Sequence, residues 1–172
     1  MRIFLTAIFI SIAGLAHAAA TDHVFASIDG GEINLADWRG QPVLVVNTAS
    51  RCAYTPQYDG LQDLYDTYRA DGFVVLAVPS NDFRQELASE EQVKDFCAVN
   101  FDLDLPMTII TPVRGSEAHP FYRWLKAETG FEPGWNFNKV LIGPDGRVAA
   151  TFGSNARPMS RPVTSAITSL LE

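Results

Sequence analysis

The chain predicts an α/β domain with a mixed central sheet flanked by helices, three layers deep. Three observations carry that expectation. Residues 43–47 and 73–78 are short, continuous apolar runs, the pattern of strands buried on both faces. Segments with apolar residues at helical spacing lie between such runs. Residues 140–142 and 148–152 flank Gly143-Pro144-Asp145-Gly146, a strong turn signal for an antiparallel pair. Strand, helix, strand, helix, then hairpin and helix calls for parallel and antiparallel pairing in one sheet.

The elements follow in chain order. Residues 23–27 and 32–35 predict a short hairpin around Asp29-Gly30-Gly31. The first buried strand spans 43–47. A helix is expected over 57–70, with Tyr58, Leu61, Leu64, Tyr65 and Tyr68 on its apolar face and Asp71-Gly72 ending it. The second buried strand spans 73–78. Ser89-Glu90-Glu91-Gln92 has the form of a capping box, opening a helix to about Val99. Residues 107–110 predict a third strand. His119-Pro120 starts a helix carrying Phe121, Trp124 and Leu125, with Pro120 in the first turn where its missing N–H costs nothing. A last helix is expected over 162–171. No repeat, linker or low-complexity segment interrupts the chain.

The start of the chain reads as a secretory leader. Arg2 supplies a positive charge, residues 3–15 are apolar but too short to span a bilayer, and Ala16-His17-Ala18 is an A-x-A cleavage site. Residues 1–18 are the expected signal peptide and residues 19–172 one exported domain, most simply periplasmic. No other segment of the sequence is long and apolar enough to cross a membrane. The formal charge is −7, with lysines and arginines scattered and no basic run. That excludes the electrostatic footprint of a nucleic-acid binder.

Cys52 and Cys97 are the two cysteines, and an exported chain meets an oxidising compartment. A structural disulfide between them is one reading. No C-x-x-C pair, metal-ligand spacing, phosphate loop or haem motif is present, so no metal and no cofactor is expected. Cys52 itself sits where a strand gives way to a polar loop and then to a helix starting near Pro56. The partial positive charge of a helix N-terminus favours thiolate over thiol, and the thiolate is the nucleophile.

Asn47-Thr48-Ala49-Ser50-Arg51-Cys52-Ala53-Tyr54-Thr55-Pro56-Gln57-Tyr58 resembles the active-site loop of the glutathione peroxidase family in its cysteine form. Pro79-Ser80-Asn81-Asp82-Phe83-Arg84-Gln85-Glu86 resembles the family's second motif, and Trp135-Asn136-Phe137-Asn138-Lys139-Val140-Leu141 its third. The resemblance runs from Val24 to the C-terminus. Peroxiredoxins carry threonine three residues before their cysteine; here that place is Ala49, which favours the glutathione peroxidases.

The resemblance implies a thioredoxin-like fold and a thiol peroxidase acting on hydrogen peroxide and on organic or lipid hydroperoxides in antioxidant defence. It implies a catalytic set of Cys52, Gln85, Trp135 and Asn136, the last three being neutral hydrogen-bond donors. It implies that Cys97 resolves a sulfenic acid on Cys52 into a disulfide, which a thioredoxin-like protein reduces. Alternatives at this point are direct reduction by glutathione, a peroxide sensor that oxidises a partner, and a non-catalytic domain with a structural bridge. The second motif departs from the family at Ser80, Asp82 and Leu87 and is one residue shorter before Gln85, which puts the placement of Gln85 in question. The short stretch between Gly115 and Trp135 lacks the long loop of the family's tetrameric forms and points to a monomer.

Overall fold

The structure is a computed structural model and describes residues 19–172. The expected leader, residues 1–18, lies outside the described residues. Strands β1 (Val24–Ala26) and β2 (Glu32–Asn34) form an antiparallel hairpin. They are followed by β3 (Val43–Thr48), α1 (Gln57–Tyr68), β4 (Val74–Pro79), α2 (Glu90–Phe101), α3 (Pro120–Thr129), β5 (Lys139–Ile142), β6 (Val148–Phe152) and α4 (Arg161–Leu171). The main sheet has the order β4-β3-β5-β6. β3 and β4 are parallel; β5 is antiparallel to both β3 and β6. The expected mixed, three-layer α/β architecture is what forms.

The apolar runs of β3 and β4 are continuous because each face of the sheet is covered. Leu44, Val46, Val75, Ala77 and Leu141 point to one face, where they pack with Tyr58, Leu61 and Leu64 of α1, Val93 of α2, and Val163 and Ile167 of α4. Val43, Val45, Leu76, Val78, Val140 and Ile142 point to the other, against Phe121, Tyr122 and Leu125 of α3 and Phe25 of the hairpin. One residue of register shift would exchange the two sets.

Local signals set the ends of the elements. Ser89 caps α2 by accepting the Gln92 N–H, and Gln92 accepts the Ala88 N–H in return. His119 caps α3 by accepting the Phe121 N–H, with Pro120 in the first turn. Gly72, at φ 86°, ends the single 3-10 turn into which α1 tightens after Tyr68. That turn is why the helix is shorter than 57–70.

The expected strand over 107–110 is a correction. Met107 makes one parallel bridge to Ala77, and Thr108 one antiparallel bridge to Ser27. The segment does sit between β4 and the hairpin, where Thr108 N–H donates to Ala77 O and Ile109 N–H to Ala26 O. It does not extend, because the hydroxyls of Thr108 and Thr111 both donate to Ile109 O and curl the backbone there. No helix among the described residues is long and apolar enough to cross a membrane.

Leu141, fully buried on the central β5, tests this packing. Leu141→Ala is expected to cost about 2–5 kcal/mol of stability in a urea unfolding curve, the range for a buried leucine with its cavity. A change under about 1 kcal/mol would mean the face is not packed as described.

Candidate active site

Strand directions bring three loops to one end of the sheet. Parallel pairing ends β3 and β4 side by side, with Thr48 opposite Pro79. Antiparallel pairing places the start of β5 there as well, with Lys139 opposite Val46. The loops that leave β3, leave β4 and enter β5 carry Cys52, Gln85, and Trp135 with Asn136.

The Cys52 loop is folded on itself. Thr55 Oγ1 accepts the Cys52 N–H at 3.0 Å and donates to Ala49 O at 2.8 Å. The Tyr54 N–H donates to Cys52 Sγ at 3.4 Å. The sulfur is thus buried and already faces one backbone donor. Two bonds then tie this loop to the β4 loop. Arg51 N–H donates to Gln85 O at 2.9 Å, and Ser50 N–H donates to Glu86 Oε1 at 3.0 Å. Glu86 Oε1 also takes the Leu87 N–H at 2.8 Å. Glu86 is buried, and burial pushes its carboxyl above the usual range.

The β5 loop is tied in by two asparagines. Asn47 Nδ2 donates to Trp135 O at 3.0 Å, and Asn47 O accepts the Phe137 N–H. Asn136, fully buried, donates from Nδ2 to Gln85 Oε1 at 2.9 Å. The shortened second motif therefore still delivers Gln85 to the site. Its departures have their own roles. Asp82 Oδ2 accepts the Val113 and Arg114 N–H groups, and Ser80 Oγ accepts the Asp82 N–H. Trp135 lies at the rim, 42 % exposed, with its ring centroid 5.3 Å from that of Phe83.

Among the described residues, two of the three non-glycine residues at positive φ belong to these loops: Arg84 at 58° and Phe137 at 60°. A left-handed conformation costs an L-residue about 1–2 kcal/mol. Each sits next to a site amide, Gln85 or Asn136, and turns the chain there.

Residues 21–126 match the family model described as Glutathione peroxidase. The chain belongs to the glutathione peroxidase family. It is 39 % identical over 142 residues to a glutathione peroxidase of Lactococcus lactis, covering 80 % of this chain and 90 % of that one. It is 38 % identical over 135 residues to a glutathione peroxidase-like peroxiredoxin of Schizosaccharomyces pombe, covering 76 % and 85 %. The solved structure of a thioredoxin-family thiol:disulfide interchange protein from Chlorobium tepidum superposes with a TM-score of 0.68 at 15 % identity, covering 93 % and 100 %, and establishes the thioredoxin-like fold. This glutathione peroxidase family member is a peroxidase, an oxidoreductase acting on hydroperoxides.

The site holds the four expected catalytic positions in one place, though the amides of Gln85 and Asn136 bond to each other and not to Sγ. Cys97 is separate from them. It lies in α2, buried beside the Tyr58 hydroxyl, in the same apolar cluster as Cys52, and both thiols are free. α2 is lightly held: Val93 and Cys97 are its two buried side chains, and Val99 is 82 % exposed.

Sequence reasoning passed over Asn47, Thr55, Glu86 and Lys139. Asn47 was legible as a polar residue closing an apolar run, and Thr55 as a hydroxyl three residues after Cys52. Lys139 gave no signal. It is fully buried, donating to Gln57 Oε1 at 2.8 Å and Phe137 O at 2.7 Å, and so joins the start of β5 to the start of α1; burial pulls its pKa down to about 8.

Burial pushes the Cys97 thiol up to about 11. Only the thiolate is alkylated at an appreciable rate. Iodoacetamide at pH 8 is therefore expected to leave Cys97 unmodified in the native protein and to label it after denaturation, read by peptide mass. Rapid native labelling of Cys97 would contradict its burial.

Proposed function

We propose that the chain reduces hydroperoxides through Cys52, by a two-cysteine cycle served by a thioredoxin-like protein. The observation that carries this reading is the gathering of Cys52, Gln85, Trp135 and Asn136 on three loops at one end of the sheet. The Cys52 thiolate attacks the terminal peroxide oxygen, the O–O bond breaks, and the departing alkoxide or hydroxide takes up a proton. Thiol and hydroperoxide thus give sulfenic acid and alcohol or water. The amides of Asn136 and Gln85 and the indole N–H of Trp135 are neutral donors for the oxygens, and they add no titratable group that competes with the thiol. Their mutual bond opens to receive the substrate.

Cys97 then displaces the hydroxyl of the sulfenic acid, which leaves as water, and a Cys52–Cys97 disulfide forms. For the sulfurs to meet within disulfide geometry, α2 has to loosen. Val93 and Cys97 are its two fully buried side chains, and the half-buried Phe96 and Phe101 pack on the same core, so that step also shifts their contacts. A thioredoxin-like dithiol restores both thiols and becomes a disulfide itself. The Schizosaccharomyces pombe relative is a glutathione peroxidase-like peroxiredoxin, and that likeness supports a protein reductant. The chain works as a monomer.

The test is peroxide consumption with thioredoxin or with glutathione as sole reductant. Turnover is expected with thioredoxin and is expected to stall after one cycle in Cys97→Ser, with Cys52 trapped as sulfenic or over-oxidised acid by intact mass. Normal thioredoxin turnover by Cys97→Ser would overturn the resolving role and favour direct reduction.

Export belongs to the same proposal. Ala20 is buried and its N–H donates to Gly146 O, while the Ala19 N–H faces the Asp22 carboxylate at 3.0 Å. A new amino terminus at Ala19 would gain a charge beside that carboxylate. Mass analysis of the mature protein is expected to find Ala19 first, in material outside the cytoplasm. Cytosolic protein starting at Met1 would refute export.

A further inference from the structure

Beside the Cys52 loop the fold buries a set of polar atoms that the peroxide step leaves idle. Glu86 is the one carboxyl buried among the described residues. Its Oε1 takes the Ser50 and Leu87 N–H groups, while its Oε2 has no partner. The hydroxyls of Thr48, Ser50 and Tyr58 are buried as well, and none completes a well-aligned hydrogen bond. Nine buried side-chain atoms stand so among the described residues, and four of them meet here. Buried polar groups are ordinarily paired, so a gathering of unpaired ones calls for a reason.

The neighbours of these atoms supply one. Thr48 ends β3, and Ser50 follows it by two residues. The Tyr58 hydroxyl, carried by α1, faces Thr48 on one side and the Cys97 thiol on the other. The charged or titratable groups that face Glu86 are Arg51 from the Cys52 loop, Tyr58 from α1 and Cys97 from α2. Burial, the largest influence, pushes the Glu86 carboxyl up, and Arg51 holds it back. Burial likewise pushes the Cys97 thiol up to about 11, and the Glu86 charge adds to that.

Resolution poses a problem that this cluster answers. Cys97 has to attack as a thiolate, and a thiol with so high a pKa is almost wholly protonated at neutral pH. A thiolate and a carboxylate together in an apolar interior also repel each other. Handing the proton from one to the other keeps a single negative charge in the interior throughout.

We infer that Glu86, acting through the Tyr58 hydroxyl, takes the proton of Cys97 as that thiol closes the disulfide with Cys52. This rests on the two-cysteine reading and adds to it the groups that move the proton. The Tyr58 oxygen accepts the Cys97 proton while its own proton passes to Glu86 Oε2. The Cys97 sulfur bonds to the Cys52 sulfur, the S–O bond of the sulfenic acid breaks, and the hydroxide leaves as water with the proton that Glu86 returns. Cys97 is oxidised, the sulfenic sulfur is reduced, and no free thiolate accumulates.

The test follows disulfide formation after one equivalent of hydrogen peroxide, by rapid acid quench, thiol blocking and intact mass, in the wild type, Glu86→Gln and Tyr58→Phe from pH 7 to pH 9. Glutamine keeps an oxygen for the Ser50 and Leu87 N–H groups but takes no proton there. Phenylalanine keeps the ring contacts with Phe101 and Phe137 and removes only a hydroxyl without an aligned partner. The wild-type rate is expected to be flat over this range, with Glu86 a carboxylate throughout. Each variant is expected to be about a hundredfold slower at pH 7, the lower end of what a positioned base supplies, and to gain about tenfold per pH unit as the thiolate fraction of Cys97 grows. A purely structural defect would lower the rate by one factor at every pH. Such parallel profiles in both variants, or rates equal to the wild type, would overturn the relay. A wild type that forms no Cys52–Cys97 disulfide at any pH would bring down the two-cysteine reading itself, a result distinct from a changed pH profile.

Discussion

The parallel pairing of β3 with β4 is the constraint on which the site depends. It ends two buried strands at the same level, so the loops that follow must share the space above them. Parallel strands leave their loops at one end of the sheet, and that is where α/β proteins build their sites. The antiparallel β5 adds a third loop because it starts where the other two stop. No single loop holds the chemistry. The thiol comes from one, an amide from the second, and an amide with an indole from the third.

What holds the loops in register is a small set of buried polar side chains. Asn47 closes the gap between the β3 end and the β5 loop, and Glu86 clasps the Ser50 N–H from the β4 loop. Each lies in the interior, where an unpaired polar group costs about 1–3 kcal/mol. Separating the loops would therefore break bonds in a place where water does not easily replace them. Lys139 extends the same logic to the helix, since its ammonium is shared between Gln57 of α1 and the backbone of the β5 loop. By contrast α2, which carries Cys97, has two buried anchors and a largely exposed surface. Rigid loops around one thiol and a loosely anchored helix under the other match the different demands on attack and resolution.

Much of this was legible in the sequence, and the reasons are physical. Continuous apolar runs marked the two parallel strands β3 and β4, Gly143-Pro144-Asp145-Gly146 the β5–β6 turn, and Ser89 and His119 the helix starts. Residues 107–110 were misread as a strand because two threonine hydroxyls compete for Ile109 O, a choice that hydrophobic pattern does not encode. The candidate site residues were reached through their family likeness, not through periodicity. Asn136 and Gln85 meet at 2.9 Å across 51 positions of sequence, and no local pattern reports such a contact. Glu86 and Lys139 are charged residues that the fold buries, which no local pattern reports.

The central claim is that Cys52 is the atom at which the peroxide is cut. The most direct measurement is intact mass of the reduced protein after one equivalent of hydrogen peroxide, with a sulfenic-acid trap present, in Cys97→Ser and in the Cys52→Ser, Cys97→Ser double variant. The account predicts one trap adduct, mapped to the peptide containing Cys52, in the first protein and none in the second, with peroxide consumed only by the first. Peroxide consumption at comparable rate by the folded double variant, or an adduct away from Cys52, would contradict it.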